Sequence, residues 1–208
     1  MRRPPGAATR GRARARPSHA GVPSWLSATL NFCSRCGQAL DYGPIDGEER
    51  DRLSCPVCGF IAYVNPRLVV TSLPVTEGGE VILLRRGIEP GYGLWAQPGG
   101  FLEVDETAHD GAIRETLEET GLQVEPTRIV GLYSRPQAAI VVVTFEARIV
   151  GGEIRTGPEA LEIVPFGPAD IPWAGIAFRT STWALRDWVR QTRPDLAALV
   201  DDTPEPDA

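Results

Sequence analysis

The stretch Gly99–Leu122, GGFLEVDETAHDGAIRETLEETGL, constrains this chain more than any other. A turn at Pro98-Gly99-Gly100 opens it, and an acidic loop carrying Glu103, Asp105 and Glu106 follows. The spacing then predicts a helix from about Thr107, with Thr107 as N-cap and Asp110 in the first turn, where acids are favoured. Gly121 is the expected left-handed stop, followed by apolar Leu122. Ala108, Ala112, Ile113, Thr116, Leu117 and Thr120 recur at helical spacing and predict one buried face. Arg114, Glu115, Glu118 and Glu119 lie off that face. Carboxylates at i, i+3 and i+4 repel by roughly a few tenths of a kcal/mol per pair, which a solvated helix tolerates. Such crowding also suits a hard cation, so the oxygen ligands point to Mg²⁺, Mn²⁺ or Ca²⁺ rather than a soft metal.

A merely solvated acidic face is the plain alternative, but the whole pattern speaks against it. Gly100, five residues, Glu106, seven residues, then Arg114-Glu115-x-x-Glu118-Glu119-x-Gly121-Leu122 resembles the Nudix box. Only Thr116 departs from that pattern, standing where a bulky aliphatic is expected; its methyl is expected to fill part of the slot. The resemblance implies an α/β/α sandwich around a mixed sheet and hydrolysis of nucleoside diphosphates linked to another group. It implies a divalent metal, Mg²⁺ or Mn²⁺, on Glu115, Glu118 and Glu119, with Arg114 orienting these carboxylates. Gly100 and Glu106 match the loop positions that shape the site. The chemistry is coherent in itself. A pyrophosphate carries several negative charges and resists attack, and metal ions neutralise it and activate bound water.

At 208 residues the chain suits one ordinary domain, a small module and tails, and an apolar share of 42% is enough for a core. No apolar run approaches the ~20 residues that span a bilayer, so a soluble, cytoplasmic protein is expected. The net charge of −6 opposes a general nucleic-acid binder. Residues 1–28 carry Arg2, Arg3, Arg10, Arg12, Arg14 and Arg16 without an acid, interrupted by Pro and Gly, and are expected to be disordered. With no apolar segment after the arginines, they do not read as a secretory signal.

Residues 29–64 hold Cys33-Ser-Arg-Cys36-Gly37 and Cys55-Pro-Val-Cys58-Gly59, separated by 18 residues. Two such knuckles predict tetrahedral Zn²⁺ on four thiolates, with each glycine easing the turn that aims backbone N–H groups at sulfur. All four positions are filled by cysteine, so the zinc is expected to be structural. Its three arginines against five acids make the segment a poor nucleic-acid binder.

From residue 65 to 195 a catalytic domain is expected. Leu68–Leu73 and Val81–Arg86 read as strands about a turn at Glu77-Gly78-Gly79. Arg128–Ser134 and Ala139–Val150 read as strands, the latter buried on both faces through Ile140–Val143. A last short strand leads to Phe166, and Phe178–Thr192 reads as a helix. Residues 196–208 are expected to form an acidic, Pro-containing, mobile tail.

The general base is expected outside the box, at Glu162, with Glu159 as the alternative. Tyr92, Trp95, Phe101 and Trp173 are candidates for an aromatic shelf under adenine, and Arg135 for a phosphate or ribose contact. His109, in the first helical turn, reads as solvent-facing. The wider resemblance, from Phe32 to about Trp188, is to zinc-ribbon Nudix hydrolases. The NADH pyrophosphatase branch carries a downstream Ser-Gln-Pro-Trp-Pro-Phe-Pro array, where this chain has Ser134-Arg135-Pro136-Gln137-Ala138-Ala139. The ADP-ribose and FAD pyrophosphatase branch is nearer, through Gly157-Pro158-Glu159-Ala160-Leu161-Glu162 and Asp170-Ile171-Pro172-Trp173. That branch implies AMP as a product and a nucleotide-derived small-molecule substrate. A homodimer is compatible with the resemblance. Rival readings are NADH or NAD-cap hydrolysis, hydrolysis of oxidised nucleoside triphosphates, a non-catalytic ligand sensor, and a zinc-ribbon adaptor.

Overall fold

A computed structural model describes residues 30–201, 203, 204 and 206. The chain divides into two compact units at Asn65/Pro66. The Arg-rich extension at 1–28 lies outside the described residues. No helix among them is long and apolar enough to cross a membrane.

The first unit is a small antiparallel sheet of β1 (Asp41–Gly43), β2 (Arg52–Ser54) and β3 (Ile61–Ala62). Its core is only Leu40, Leu53 and Ala62 packed with Cys33 and Cys55. Gly37 and Gly59 both take left-handed backbone, at φ +72° and +70°. Each donates its N–H back to the carbonyl of the first cysteine of its knuckle, at 2.8 and 3.0 Å.

The second unit is built on β4 (Arg67–Val75), β5 (Val81–Arg86), β6 (Trp95–Ala96), β7 (Gly99–Phe101), β8 (Leu122–Arg135), β9 (Ile140–Gly152) and β10 (Ala160–Phe166). The strand order is β10-β5-β4-β9-β8, with β6 added to β5 and β7 to β4. Only β4 and β9 run parallel, so the sheet is mixed. Helix α1 (Ala108–Thr120) covers one face through Val70, Ala112, Val143 and Phe145. Helix α2 (Arg179–Thr192) covers the other, where Leu185, Trp188 and Val189 meet Leu73, Val81 and Leu83. The period-2 alternation of the strands separates these two sets, and the expected α/β/α sandwich results.

One irregularity creates the site. Strands β4 and β5 pair at Val75 and Val81 and then diverge, and β6 and β7 occupy the gap between them. The connection between these short strands is held by Ser72 N–H donating to the Pro98 carbonyl at 3.0 Å. Gly99 and Gly100 therefore lie at the split in the sheet, in register with Thr71 and Val70.

Several expectations need correction. Leu117 is 42% exposed rather than buried. The strip facing the sheet is Ala112, Thr116 and Thr120 at i+4 spacing, and Leu117 lies a further ~100° round the helix. Thr116 is fully buried, but its hydroxyl matters as much as its methyl: it donates to Ala112 O at 2.6 Å and lies 2.5 Å from Ser72 Oγ. Strand β8 begins at Leu122, immediately after the helix stop, well before Arg128. Three register shifts along it break the alternation that marks a strand in sequence. Past residue 195 the chain is not simply a tail, because Ala197–Asp201 forms a short helix, α3, and Val200 is fully buried in the α2 core.

Candidate active site

Helix α1 starts and stops where its sequence dictates. Thr107 caps it, with the Asp110 side chain reaching back to the Thr107 N–H, and Gly121 ends it at φ +76°. This sets the rotation of the helix and turns Glu115 and Glu119 toward the split in the sheet. Glu119 accepts a hydrogen bond from Gly99 N–H at 2.8 Å. Glu115 lies against Gly100 so closely that a Cβ there would stand 2.5 Å from its Oε1. Glu118 points outward, with its side chain 59% exposed.

Arg114 ties the loop to the helix. It contacts both oxygens of Glu106, at 2.6 and 3.0 Å, and Glu115 at 2.8 Å, and reaches Glu118 at 3.4 Å. Three carboxylates thus gather about this cation, with Glu119 a turn further along the helix, and their charges separate in character. Arg114 holds Glu106 down to about 2, helped by the Glu103 N–H. Burial pushes Glu115 up against the pull of Arg114. Burial pushes Glu119 up to about 7, opposed by the Gly99 N–H and Arg86 and reinforced by Glu115 and Glu159. An acid that is hard to ionise alone, beside other acids, is what a cation-binding carboxylate looks like when only protons compete. The all-oxygen donor set fits a hard divalent cation, and exposed Glu118, one residue before Glu119, is the third carboxylate beside it.

The two base candidates lie differently. Glu162 is on β10 directly opposite Arg85, with an ion pair at 3.1 Å. Its neighbour Ile163 packs on the α1 side of the sheet, so Glu162 faces the other side. Glu159 ends the loop that wraps the C-terminal end of α1. Arg155 N–H donates to Thr120 O at 2.8 Å and Gly157 N–H to Glu119 O at 3.2 Å. Gly157 comes so close that a Cβ would stand 2.7 Å from Glu118 O. This clamp brings Glu159 near enough to bear on the Glu119 carboxyl.

Beside the split lies a pocket of about 510 Å³. Gly99, Gly100, Phe101 and Arg135 line it, together with Arg67, Arg86, Gln97 and Phe178. Arg67 lies over the Phe101 ring at 4.3 Å, and Arg86 over Phe178 at 5.0 Å. Trp95 instead packs edge-on against Phe166 with centroids 5.0 Å apart, while Tyr92 is exposed; neither lines the pocket. Trp173 packs against the α2 core. His109 is exposed with its ring 4.7 Å from Phe145. A hollow of about 700 Å³ between Val75 and Ile149 contains none of the box residues.

In the first unit the sulfurs of Cys33, Cys36, Cys55 and Cys58 all lie within 4.8 Å of one another. Arg35 N–H points at Cys33 Sγ at 3.4 Å. Backbone N–H groups of Cys58 and Val57 lower Cys55 to about 7 despite burial. Cys36, although its backbone hydrogen bond to Gln38 lowers it, is pushed up to about 12 by neighbouring thiols, Cys55 foremost. Four thiolates this close need a cation, and the closed sulfur set fits Zn²⁺.

Residues 65–183 match the family described as the NUDIX domain, and residues 31–64 match the zinc ribbon described as Nudix N-terminal. The chain belongs to the Nudix hydrolases. A NUDIX hydrolase of Nitrosomonas europaea has a similar crystal structure, with 35% identity, a TM-score of 0.73, and 85% of this chain and 96% of that one covered. The chain is 31% identical over 114 residues to an ADP-ribose pyrophosphatase of Methanocaldococcus jannaschii, covering 53% of this chain and 67% of the relative. It is 32% identical over 147 residues to an NAD-capped RNA hydrolase of Pseudomonas fluorescens, covering 68% of this chain but only 49% of that protein.

Nothing local in the sequence marks Arg67, Arg86 and Gln97 as pocket residues, because each sits at a strand end or in a turn, where no periodicity fixes its direction. Phe178 stood in sight only as a helix start. The pocket exists because β4, β6, β7, β9 and α2 converge, and no local signal announces that.

Proposed function

We propose that this Nudix hydrolase cleaves the pyrophosphate bond of a nucleoside diphosphate linked to another group, ADP-ribose or FAD, releasing AMP. The observation that carries the reading is the placement of Glu115 and Glu119 against Gly99–Gly100, at the wall of a pocket of about 510 Å³. Similarity to a protein named ADP-ribose pyrophosphatase supports it.

In this reading Glu115, Glu118 and Glu119 hold the divalent metal, Mg²⁺ or Mn²⁺, and Arg114 sets their geometry. The cation, when bound, supplies charge neutralisation and a more acidic water. Gly99 N–H keeps the Glu119 carboxylate in place, and Arg86 brings positive charge to the same end of the pocket. Glu159, rather than Glu162, accepts the proton of the attacking water, because the loop clamp aims it at the box while Glu162 is engaged by Arg85. Phe101 offers the exposed ring on which a base can stack. In the ribbon, Cys33, Cys36, Cys55 and Cys58 hold structural zinc.

Similarity to NAD-capped RNA hydrolases favours a second reading, removal of an NAD cap. AMP release from ADP-ribose, FAD, NADH and an NAD-capped oligonucleotide, each with Mg²⁺ and beside Glu118→Gln, separates the two. The proposal expects ADP-ribose or FAD to lead in kcat/KM and the variant to lose on the order of 10²–10³. A lead by NADH or capped RNA establishes the second reading. Binding without turnover of any of them makes the protein a ligand sensor.

A further inference from the structure

Gln97 is only 5% exposed and lines the pocket of about 510 Å³ beside the split in the sheet. Among the described residues, its Oε1 has no hydrogen-bond partner. At the other end of the amide, Nε2 reaches Thr71 Oγ1 at 3.5 Å, the weak limit of a hydrogen bond. The Thr71 hydroxyl is itself engaged with Thr144 Oγ1 at 2.8 Å. A buried amide has two donor hydrogens and an acceptor oxygen to satisfy. Here the oxygen and one hydrogen are left over. Leucine would fill the same position without that cost, so the amide has to be explained by what the pocket binds.

The surroundings narrow the ligand. Val69, Ala96 and Val142 give the pocket apolar walls, and Phe101 and Phe178 give it aromatic faces. That is the setting for a flat ring whose polar atoms lie on its edge. Thr180 and Ser181, both buried, line the same pocket from the first turn of α2. Phe178 begins that helix without a side-chain cap, and the N–H groups of a first turn have no partner within the helix. They need acceptors, whereas Gln97 Oε1 needs a donor. A ring edge that carries a donor beside acceptors answers both.

We infer that Gln97 is a specificity-determining residue that reads the base of the nucleotide and selects adenine. Its Oε1 accepts from the 6-amino group, and the free Nε2 hydrogen is donated to the adjacent ring nitrogen. A side-chain amide and adenine match at two points in this way wherever they meet edge to edge. A 6-oxo purine instead sets a carbonyl oxygen against Oε1. Turning the amide over to meet it gives up the Nε2 contact and brings Oε1 onto a Thr71 hydroxyl already engaged by Thr144. The inference rests on the pyrophosphatase reading in taking the ligand to be a purine nucleotide. ADP-ribose, FAD and an NAD cap all carry adenosine, so it holds for each of them.

The test measures binding of AMP, IMP and purine riboside 5′-phosphate to the full chain with Mg²⁺, which needs no turnover. The two that lack the 6-amino group are expected to bind roughly 10- to 100-fold more weakly than AMP, the scale of one two-point base contact. Gln97→Leu is expected to bring the three affinities together while melting no lower than the unaltered protein, since it buries no unpaired group. Gln97→Glu keeps an oxygen at the position and is expected to keep part of the preference. Equal binding of the three by the unaltered protein overturns the inference. So does a preference for AMP that the variants leave intact, whatever their melting temperatures. A loss of affinity in Gln97→Leu that is the same for all three also overturns it, because Gln97 then serves the shape of the pocket and not the base. Hydrolysis of ADP-ribose beside its hypoxanthine counterpart separates the two readings. If neither is hydrolysed but AMP keeps its lead over IMP, the pyrophosphatase reading fails and the base reading stands. If ADP-ribose turns over and IMP binds as well as AMP, the base reading falls alone.

Discussion

The backbone N–H of Gly99 donates to Oε2 of Glu119 at 2.8 Å, joining the split in the sheet to the last turn of α1. This is possible because neither Gly99 nor Gly100 carries a side chain. Gly99 has φ +153°, and a Cβ there would stand 2.4 Å from Val70 O and 2.6 Å from Thr71 Cα. Both obstacles are backbone, so Gly99→Ala is expected to cost about 2–4 kcal/mol in urea unfolding. At Gly100 the obstacle is the carboxylate end of Glu115, which can move. Gly100→Ala is expected to fold, with kcat/KM reduced about 100-fold by displacement of that carboxylate.

The raised Glu119 carboxyl, at about 7, makes metal-free stability depend on pH. Its folded value exceeds the unfolded ~4.3, so the folded state holds the proton more tightly. That contribution is fully present below pH ~4.3 and is lost as pH rises through about 7. The metal-free protein should therefore melt at falling temperature between these limits. Added Mg²⁺ should stabilise it at pH 8 far more than at pH 5, since cation and proton compete. Glu119→Gln should flatten the pH profile of the melting temperature and remove most of the Mg²⁺ effect.

The base assignment is tested by a pair of substitutions. Glu159→Gln is expected to lower kcat by about 10²–10⁴, and Glu162→Gln only a few-fold, as it breaks a half-exposed pair with Arg85. The opposite order in steady-state assays returns the role to Glu162.

Thr116 donates to Ala112 O, so Ser72 must donate to Thr116 Oγ1, and both residues are fully buried. Thr116→Val leaves the Ser72 hydroxyl without its acceptor and is expected to cost about 1–3 kcal/mol. Ser72→Ala in the same chain should recover most of that loss. A double-mutant cycle in urea measures the coupling, and additive effects would show the hydroxyls to be independent.

The ribbon has too small an apolar core to hold itself together, with only Leu40, Leu53 and Ala62 fully apolar and buried. Elemental analysis should find one zinc per chain. Cys55→Ser or a strong chelator should remove it and abolish amide-exchange protection across residues 39–62. Protection of α1 and the central strands should persist, because they belong to the other compact unit.

By itself the sequence determined what depends on near neighbours in the chain. Thr107 and Gly121 set the ends of α1 through their own hydrogen bonding and backbone freedom, and the i, i+3, i+4 spacing put Glu115, Glu118 and Glu119 together. The two CxxCG knuckles likewise specified their turns, since left-handed Gly37 and Gly59 need only local geometry. What only the tertiary structure decided lies between distant segments. Ser72 satisfies the hydroxyl that made Thr116 look like a misfit. Glu159 is brought near the Glu119 carboxyl by a loop docked on the helix end. Arg67 and Arg135 become neighbours because β4 and β8 both pair with β9 at Ile140. Strand register and the divergence of β4 from β5 arise from how whole faces pack, and that energy is spread over many residues, so no short stretch records it.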